Sequence, residues 1–371
     1  MTNLNEIYRL GNYIDTFALG HYARVFSAHD LRNNRAVAFK VMRTEHLSTD
    51  GDIRWEYRAF PNEAELLIKL SNSPHVVDLL DCGYLANHAD VPADGEIISF
   101  GRDVASFARS MLDYAERDWR PYLVMPDLPR ANNLFYQMKP TQQANRWRLP
   151  TEEGLVLAVQ FAQVLQIAHR QNIVYMDHKL EHVYWDGVNL QIIDLNSSRQ
   201  LDGQDKRAFQ MDIHNLCVGI LYPLFTGLSP ISGALRPMPG NLDQVEARYQ
   251  AVKTLDFGVE PTLSPALKDL LQAGAAMQIA TIEEFIAGLQ EVCHHHGWDF
   301  PNRSADPANR RARDHMRDGL RRLRDGEQKI REARDLFRDA ATVEDISDDL
   351  EAELRRLVKA INDMLNQRVI P

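Results

Sequence analysis

The sequence predicts an α+β protein with a β-rich N-terminal lobe, an α-rich C-terminal lobe and a helical hairpin at the end of the chain. Short apolar segments between turn residues dominate the first part, whereas long helical periodicities dominate the second. Two heptad-spaced runs follow after residue 304. Strands and helices that are segregated along the chain are typical of α+β proteins. We therefore expect three units, residues 1–127, 128–299 and 300–371.

The first unit begins with successive short strands in residues 12–43. "VFSAHD" and "AVAFKVM" are predicted strands, and the polar "LRNNR" between them suits a hairpin turn. "PNEAELLIKLSN" is predicted to be a helix with Pro61 in its first turn. "HVVDLLDCGYL" and "PYLVMPDL" are predicted to be two further strands.

Residues 86–120 form an insertion between these last two strands. Five apolar residues recur there at helical spacing and predict one amphipathic helix: Phe100, Val104, Phe107, Met111 and Tyr114. We expect this helix to pack on the parent domain; docking of a partner protein is the alternative.

The second unit is predicted to be mainly helical. "LPTEEGLVLAVQFAQVLQIAHRQN" carries a long apolar helical face. "IVYMDHKLEHVYWDGVNLQIIDL" then contributes two short β-like runs around an Asp-Gly turn. "DIHNLCVGILYPLFTGLSP" is apolar enough to be a buried helix, and Gly227 is placed to end it.

The tail contains two heptad-spaced runs separated by "DAATVED". The first is Met316, Leu320, Leu323, Ile330 and Phe337, and the second is Ile346, Leu350, Leu357, Ile361 and Met364. Residues 303–338 hold 12 basic and 7 acidic groups (+5), whereas residues 339–371 hold 4 and 8 (−4). We expect the two arms to pair as an antiparallel hairpin that serves protein association, with a homodimer as one form of it.

Composition excludes several classes of protein. The net charge of −10 argues against a nucleic-acid binder, which needs a basic surface. The sequence has no apolar run near the roughly 20 residues that span a bilayer, and the N-terminus lacks the features of a signal peptide. Cys82, Cys217 and Cys293 form no disulfide framework and are expected to be buried thiols. We expect a cytoplasmic protein that binds neither nucleic acid nor membranes.

Several motifs lie in the order found in protein kinases. "FALGHYARVF" is similar to the glycine-rich loop G-x-G-x-x-G-x-V; only the second glycine is kept, as Gly20, because Ala18 and Ala23 replace the others. "VAFK" is similar to V-A-I-K, which makes Lys40 the candidate for the lysine that grips nucleotide phosphates. Glu63, on the following helix, resembles the glutamate that holds this lysine.

Two further motifs extend this resemblance to the protein kinase family over residues 10–298. "YMDHKLEH" resembles the catalytic loop H-R-D-x-K-x-x-N, with Asp177 and Lys179 at the catalytic positions. "IIDLNSS" places Asp194 on the metal-binding aspartate of D-F-G. The resemblance implies an ATP site, with Mg²⁺ or Mn²⁺ as the metal. Its implied nucleotide-binding residues are Gly20, Val25, Ala38, Lys40, Glu63, Met125, Leu128 and Tyr184.

The sequence also departs from the family. His182 replaces the asparagine that binds a second metal ion, and its nitrogen suits Mn²⁺ better than Mg²⁺. Met176 replaces the arginine that pairs with an activation-segment phosphate. Asp194 and Asp212 are only 18 residues apart with no A-P-E motif between them, so most of the segment that would cradle a substrate peptide is missing.

These observations leave three functions open. The first is an atypical Ser/Thr phosphotransferase in which Asp177 orients the acceptor hydroxyl and accepts its proton, while Asp194 holds the metal ion. The second is a pseudokinase that signals through protein–protein contacts. The third is a small-molecule phosphotransferase of the aminoglycoside type, against which Lys179, two residues after the aspartate, counts.

Overall fold

The computed structural model describes residues 2–14, 22–47, 53–138, 148–231, 248–297, 307–343 and 346–366, together with Val245. These residues form an α+β structure, a curled antiparallel sheet combined with helices. The strands are β1 Thr2–Asn3, β2 Tyr8–Tyr13, β3 Ala23–Asp30, β4 Arg35–Met42, β5 Asp81–Ala86, β6 Glu96–Gly101, β7 Arg120–Pro126, β8 Ile173–Val174, β9 Val183–Trp185, β10 Leu190–Ile192 and β11 Arg199–Gln200. The helices are α1 Leu4–Ile7, α2 Trp55–Lys69, α3 Val104–Arg109, α4 Met111–Ala115, α5 Leu134–Met138, α6 Thr151–Arg170, α7 Lys206–Asn215, α8 Tyr222–Thr226, α9 Pro265–Ala275, α10 Ile282–His295, α11 Pro307–Ala340 and α12 Asp348–Asn366.

Seven strands form the main sheet in the order β1-β6-β5-β7-β4-β3-β2, and every neighbouring pair is antiparallel. The predicted hairpin of β3 and β4 is confirmed. Its turn contains Asn34 at φ 49°, a left-handed conformation that asparagine tolerates better than most residues. The carboxylate of Asp30 accepts hydrogen bonds from Arg32 N and Asn33 Nδ2 and closes the turn.

Both faces of the sheet are buried. On one face, Leu4 of α1 packs with Tyr8, Phe39 and Tyr122, and the last two rings stack at 4.9 Å between centroids. The other face belongs to a larger apolar core that continues through α2 and α6 into α7. The strands and the helices thus share one core, which fixes the position of the sheet relative to the helical part.

Helix α2 begins earlier than the sequence indicated. It starts at Trp55, so Pro61 lies inside the helix and not in its first turn, where it was expected. Tyr57 and Phe60 are buried in the core and extend the packed face toward the N-terminus. This packing offsets the backbone hydrogen bond that a proline inside a helix removes.

The insertion at residues 86–120 does not form one amphipathic helix. Phe100 lies in β6, which pairs with β5, and the helical part is divided into α3 and α4. The expected packing on the parent domain is confirmed, because Phe107 is fully buried and Tyr114 stacks on Tyr84 of β5 at 4.4 Å between centroids. The strand forms because it extends the edge of the sheet, which helical spacing alone does not reveal.

The helical part follows the sequence more closely. Helix α6 spans Thr151–Arg170, and β9 and β10 form the short hairpin around the predicted Asp-Gly turn. Helix α7 continues through a π-helical segment, Leu216–Leu221, into α8. Gly227 ends α8 at φ 70°, a left-handed cap that glycine adopts without steric cost.

Helices α11 and α12 pack against each other, as the heptad runs predicted. Leu354, which the predicted heptad pattern omitted, is 8% exposed and is the most buried described side chain of α12, whereas the predicted seam residue Leu350 is 49% exposed. At 19 residues, α12 covers little more than half of the 34-residue α11.

Among the described residues, no helix is both long enough and apolar enough to cross a membrane. Cys82, Cys217 and Cys293 are all buried free thiols, as the sequence predicted.

We expect Leu354→Asp to separate α12 from α11, because a carboxylate would enter the most buried position of their seam. The loss of helix should lower the far-UV circular dichroism signal and the unfolding temperature of the hairpin, with a cost of about 3 kcal/mol. Leu350→Asp is the matched control at a half-exposed position of the same helix. Equal effects of the two substitutions would show that Leu354 is not central to the seam.

Candidate functional site

The loop 175–182 follows β8, and Asp212 of α7 anchors the start of its backbone. The buried Asp212 carboxylate accepts hydrogen bonds from the backbone N–H groups of Tyr175 and Met176, both at 2.8 Å, and lies 3.1 Å from His169 Nε2. Burial alone would raise the pKa of Asp212, but these donors outweigh burial and lower it. Met176 has φ 65°, which is strained for a residue other than glycine. The two hydrogen bonds therefore hold a bend that the chain would otherwise avoid.

Lys40 and Glu63, which are buried, form an ion triad with Asp194, whose side chain is 26% exposed. Lys40 Nζ lies 2.7 Å from Glu63 Oε2 and 3.1 Å from Asp194 Oδ1. β4 supplies Lys40, α2 supplies Glu63, and the turn after β10 supplies Asp194. Burial disfavours the charged lysine, but Asp194 and Glu63 more than offset this and raise the pKa of Lys40. The structure thus joins Lys40 to Glu63, the partner that the sequence predicted, and adds a contact with Asp194.

Asp177 is enclosed by cations. Lys179 Nζ lies 2.7 Å from its Oδ2, and Arg248 Nη1 lies 2.6 Å from its Oδ1. Only 3% of the Asp177 side chain is exposed. Burial would raise the pKa of Asp177, but Lys179, His182 and Arg248 hold it well below its ordinary range. In this arrangement the Asp177 carboxylate is ionised and can orient a hydroxyl through a hydrogen bond.

His182 lies between the two aspartates of the site. Its Nδ1 is 3.2 Å from the backbone oxygen of Asp177, and its Nε2 is 3.4 Å from Asp194 Oδ2. Burial lowers the pKa of His182 despite these carboxylates, so its neutral form is favoured at pH 7. When Nδ1 carries the proton, it donates a hydrogen bond to the backbone oxygen of Asp177, and Nε2 then presents a lone pair toward Asp194.

Four predicted nucleotide-binding residues lie on one face of the sheet. Val25 of β3 pairs with Lys40 of β4, and Ala38 of β4 pairs with Met125 of β7. Directly paired residues, and residues two apart on one strand, point to the same side of a sheet. Val25, Ala38 and Met125 therefore share the face on which Lys40 meets Glu63.

The remaining predicted nucleotide-binding residues are less closely tied to this face. Leu128 follows β7 and is half-buried. Tyr184 lies on β9, half-buried, and forms a backbone bridge with Asn133. Gly20 lies outside the described residues.

The structure adds two residues that sequence reasoning missed. Arg248 contacts Asp177 from 71 residues further along the chain, and no motif marks it. Tyr22, which belongs to the segment "FALGHYARVF", is buried. Its ring centroid lies 5.3 Å from Lys40 Nζ, and its ring is nearly perpendicular to the ring of Phe60. The aromatic character of Tyr22 in "GHYARVF" was the available signal for this contact.

A metal ion would need ligands beyond the protein side chains at this site. Within the described residues, no group of three or more His, Cys, Asp and Glu side chains is arranged to hold one. Asp194 Oδ2 and His182 Nε2 are 3.4 Å apart, close to the separation of two neighbouring ligands on one small ion. These two atoms fit an ion whose other ligands are phosphate oxygens and water.

No protein-family model matches the sequence, and a search of curated proteins gave no match.

We expect the stability of the protein to fall between pH 6.5 and pH 4 because of His178. The ring is fully buried against Phe161 and Tyr175, and burial lowers its pKa to about 4. An unfolded histidine titrates near 6.5, so the unfolded chain takes up the proton first as the pH falls. The contribution is complete above pH 6.5, and about 3 kcal/mol is lost by pH 4.

Urea unfolding at several pH values measures this loss. His178→Phe keeps an aromatic ring in the same place and should reduce the slope, although His182 and His214, whose pKa values burial also lowers, still contribute. An unchanged slope in the His178→Phe protein would contradict the assignment.

Proposed function

We propose that this chain is an ATP-dependent phosphotransferase with a two-lobed protein-kinase-like fold, acting on Ser or Thr hydroxyls. The observation that carries the proposal is the ion triad, in which Lys40 joins Glu63 on a helix to Asp194 on a distant turn. Two carboxylates and a lysine are costly to bury unless they are paired, and the resemblance assigns this set to nucleotide phosphates.

Each side chain has a distinct role in this proposal. Lys40 turns partly away from Glu63 and Asp194 to bind the α- and β-phosphates, and Glu63 keeps the lysine side chain oriented toward them. Lys179 offsets charge on the transferred phosphoryl group. Asp177 orients the acceptor hydroxyl, whose oxygen bonds to the γ-phosphorus as the bond to ADP breaks. The hydroxyl proton passes to Asp177 once Lys179 has turned to the phosphoryl group and no longer lowers the pKa of this carboxylate.

The metal belongs at Asp194. When bound, a divalent cation would neutralise charge on the phosphates. Asp194 Oδ2 is the carboxylate oxygen that does not face Lys40, and His182 Nε2 lies next to it. One carboxylate together with phosphate oxygens is a sufficient protein contribution for Mg²⁺, and a nitrogen ligand adds affinity for Mn²⁺.

A pseudokinase is the second candidate, and one observation favours it. Both oxygens of Asp177 already contact cations, and the side chain is buried. A protein that binds nucleotide as a scaffold has no need of an accessible Asp177.

The hairpin of α11 and α12 is proposed to mediate protein association, as a homodimer or with another protein, in the cytoplasm. Leu336, Leu350 and Met364 stay exposed on it and offer an apolar surface. Sedimentation of the Leu354→Asp protein tests this role: a separated hairpin should alter the solution mass or the capture of a partner. An unchanged mass together with unchanged capture would count against it.

We expect Asp194→Ala to weaken Mg²⁺-dependent ATP binding by about 100-fold, or about 2.8 kcal/mol, because the triad loses the carboxylate that faces the metal. Calorimetry with and without the metal measures the change. Asp177→Asn is the matched control, since it alters the other aspartate of the site: it should bind ATP like the parent but lose phosphotransfer. If Asp194→Ala binds Mg·ATP as well as the parent, the proposed site is wrong.

We expect Mn²⁺ to support nucleotide binding and transfer better than Mg²⁺, because neutral His182 offers a nitrogen ligand beside Asp194. His182→Asn replaces this nitrogen with an amide oxygen and should restore a preference for Mg²⁺. Titrations of each metal at fixed ATP give the two affinities. A parent protein that prefers Mg²⁺ would show that His182 is not a ligand.

A further inference from the structure

Arg248 occupies one of the two carboxylate oxygens of Asp177. Its guanidinium donates to Asp177 Oδ1 at 2.6 Å, while Lys179 binds Oδ2 at 2.7 Å. The side chain of Arg248 is 16% exposed, compared with 3% for Asp177. The carboxylate that should meet an acceptor hydroxyl is thus capped on both oxygens, and Arg248 is the more exposed of the two contacting residues.

A hydroxyl on a protein substrate cannot reach a carboxylate in this state. A serine or threonine must bring its oxygen to hydrogen-bond distance from Asp177, about 2.7 Å, together with the backbone that carries it. With so little of Asp177 exposed, that approach requires a neighbouring side chain to leave. Lys179 is assigned to the transferred phosphoryl group, which leaves Arg248 as the residue to move.

The backbone next to Arg248 is firmly fixed. Tyr249 is buried, its hydroxyl donates to the His178 backbone oxygen at 3.0 Å, and its own carbonyl accepts from His214 Nε2 at 2.9 Å. A Cβ on Gly219 would lie 2.6 Å from the Tyr249 ring, so the ring occupies the space that this glycine leaves. Because Tyr249 is held in this way, the Arg248 side chain can leave Asp177 by rotation about its own bonds without displacing Tyr249.

The position of Asp177 does not depend on this contact. Asp212 fixes the backbone of Tyr175 and Met176, and Lys179 already pairs with the Asp177 carboxylate. Removing Arg248 leaves the aspartate paired with Lys179, so the contact with Arg248 is not needed to compensate its charge. The effect of Arg248 is to occupy Oδ1, the oxygen of Asp177 that Lys179 does not contact.

We infer that Arg248 is an autoinhibitory lock, which occupies the acceptor position on Asp177 and must rotate away before phosphoryl transfer. This inference rests on the proposed phosphotransferase function and names a form of its regulation. The locked state blocks the acceptor and leaves the Lys40 triad, and with it nucleotide binding, unaffected.

The test compares Arg248→Met and Arg248→Gln with the full-length parent. Transfer of phosphate from Mn·ATP to dephosphorylated casein serves as the readout, and calorimetry gives ATP affinity for every protein. We expect kcat to rise at least about tenfold, a barrier change of about 1.4 kcal/mol, with unchanged ATP affinity. Arg148→Met is the matched control, since Arg148 forms a similar partly buried ion pair with Glu260 at 2.9 Å; its kcat should stay at the parent value.

The other outcomes are also decisive. Variants that bind ATP but transfer phosphate no faster than the parent contradict the autoinhibitory role of Arg248 and remain consistent with the proposed nucleotide site. Variants that transfer more slowly show that Arg248 positions Asp177 and does not block it. If neither variant folds, as judged by its unfolding temperature, the contact is structural and the lock is wrong. A parent protein that does not bind Mg·ATP refutes the proposed function, and the lock with it.

Discussion

The ion triad of Lys40, Glu63 and Asp194 is the interaction on which the rest of the site depends. A lysine buried on a sheet face is costly unless anions meet it, and here the two anions come from a helix and from a turn in the helical part of the chain. The triad therefore adds a polar connection among three elements that the shared apolar core already holds together. With two carboxylates and one cation, it keeps a net charge of −1 when all three groups are ionised.

A second cluster has the opposite balance. Asp177 with Lys179 and Arg248 carries +1, and His182, whose neutral form is favoured, connects this cluster to Asp194. The two excess charges face each other across one imidazole, so the site is near neutrality without a ligand. Nucleotide phosphates and a metal ion would redistribute these contacts, since each phosphate oxygen competes with a carboxylate for the same lysine.

The parts of this site that the sequence predicted are those fixed by local structure. Lys40 lies within a strand and Glu63 within a helix, so the motif places each side chain as soon as the element is recognised. Arg248 could not be found this way, because it reaches Asp177 through the tertiary path of the chain and carries no periodicity of its own. The same limit explains the errors in the fold: Phe100 sits in a strand because a sheet edge was open to it, and Pro61 lies inside a helix because Phe60 packs in the core.

The short connection between Asp194 and Asp212 gives the lock its physical context. With 17 residues between these aspartates, little chain remains to form a platform on the acceptor side of Asp177. An uncovered carboxylate there would attract any available cation, and the segment anchored by Tyr249 supplies one. Whether the chain is an enzyme or a scaffold then depends on the free energy of rotating Arg248 away from Asp177. Under the proposed function, a small cost would permit regulated phosphoryl transfer, whereas a large cost would keep Asp177 covered and leave the chain a nucleotide-binding scaffold.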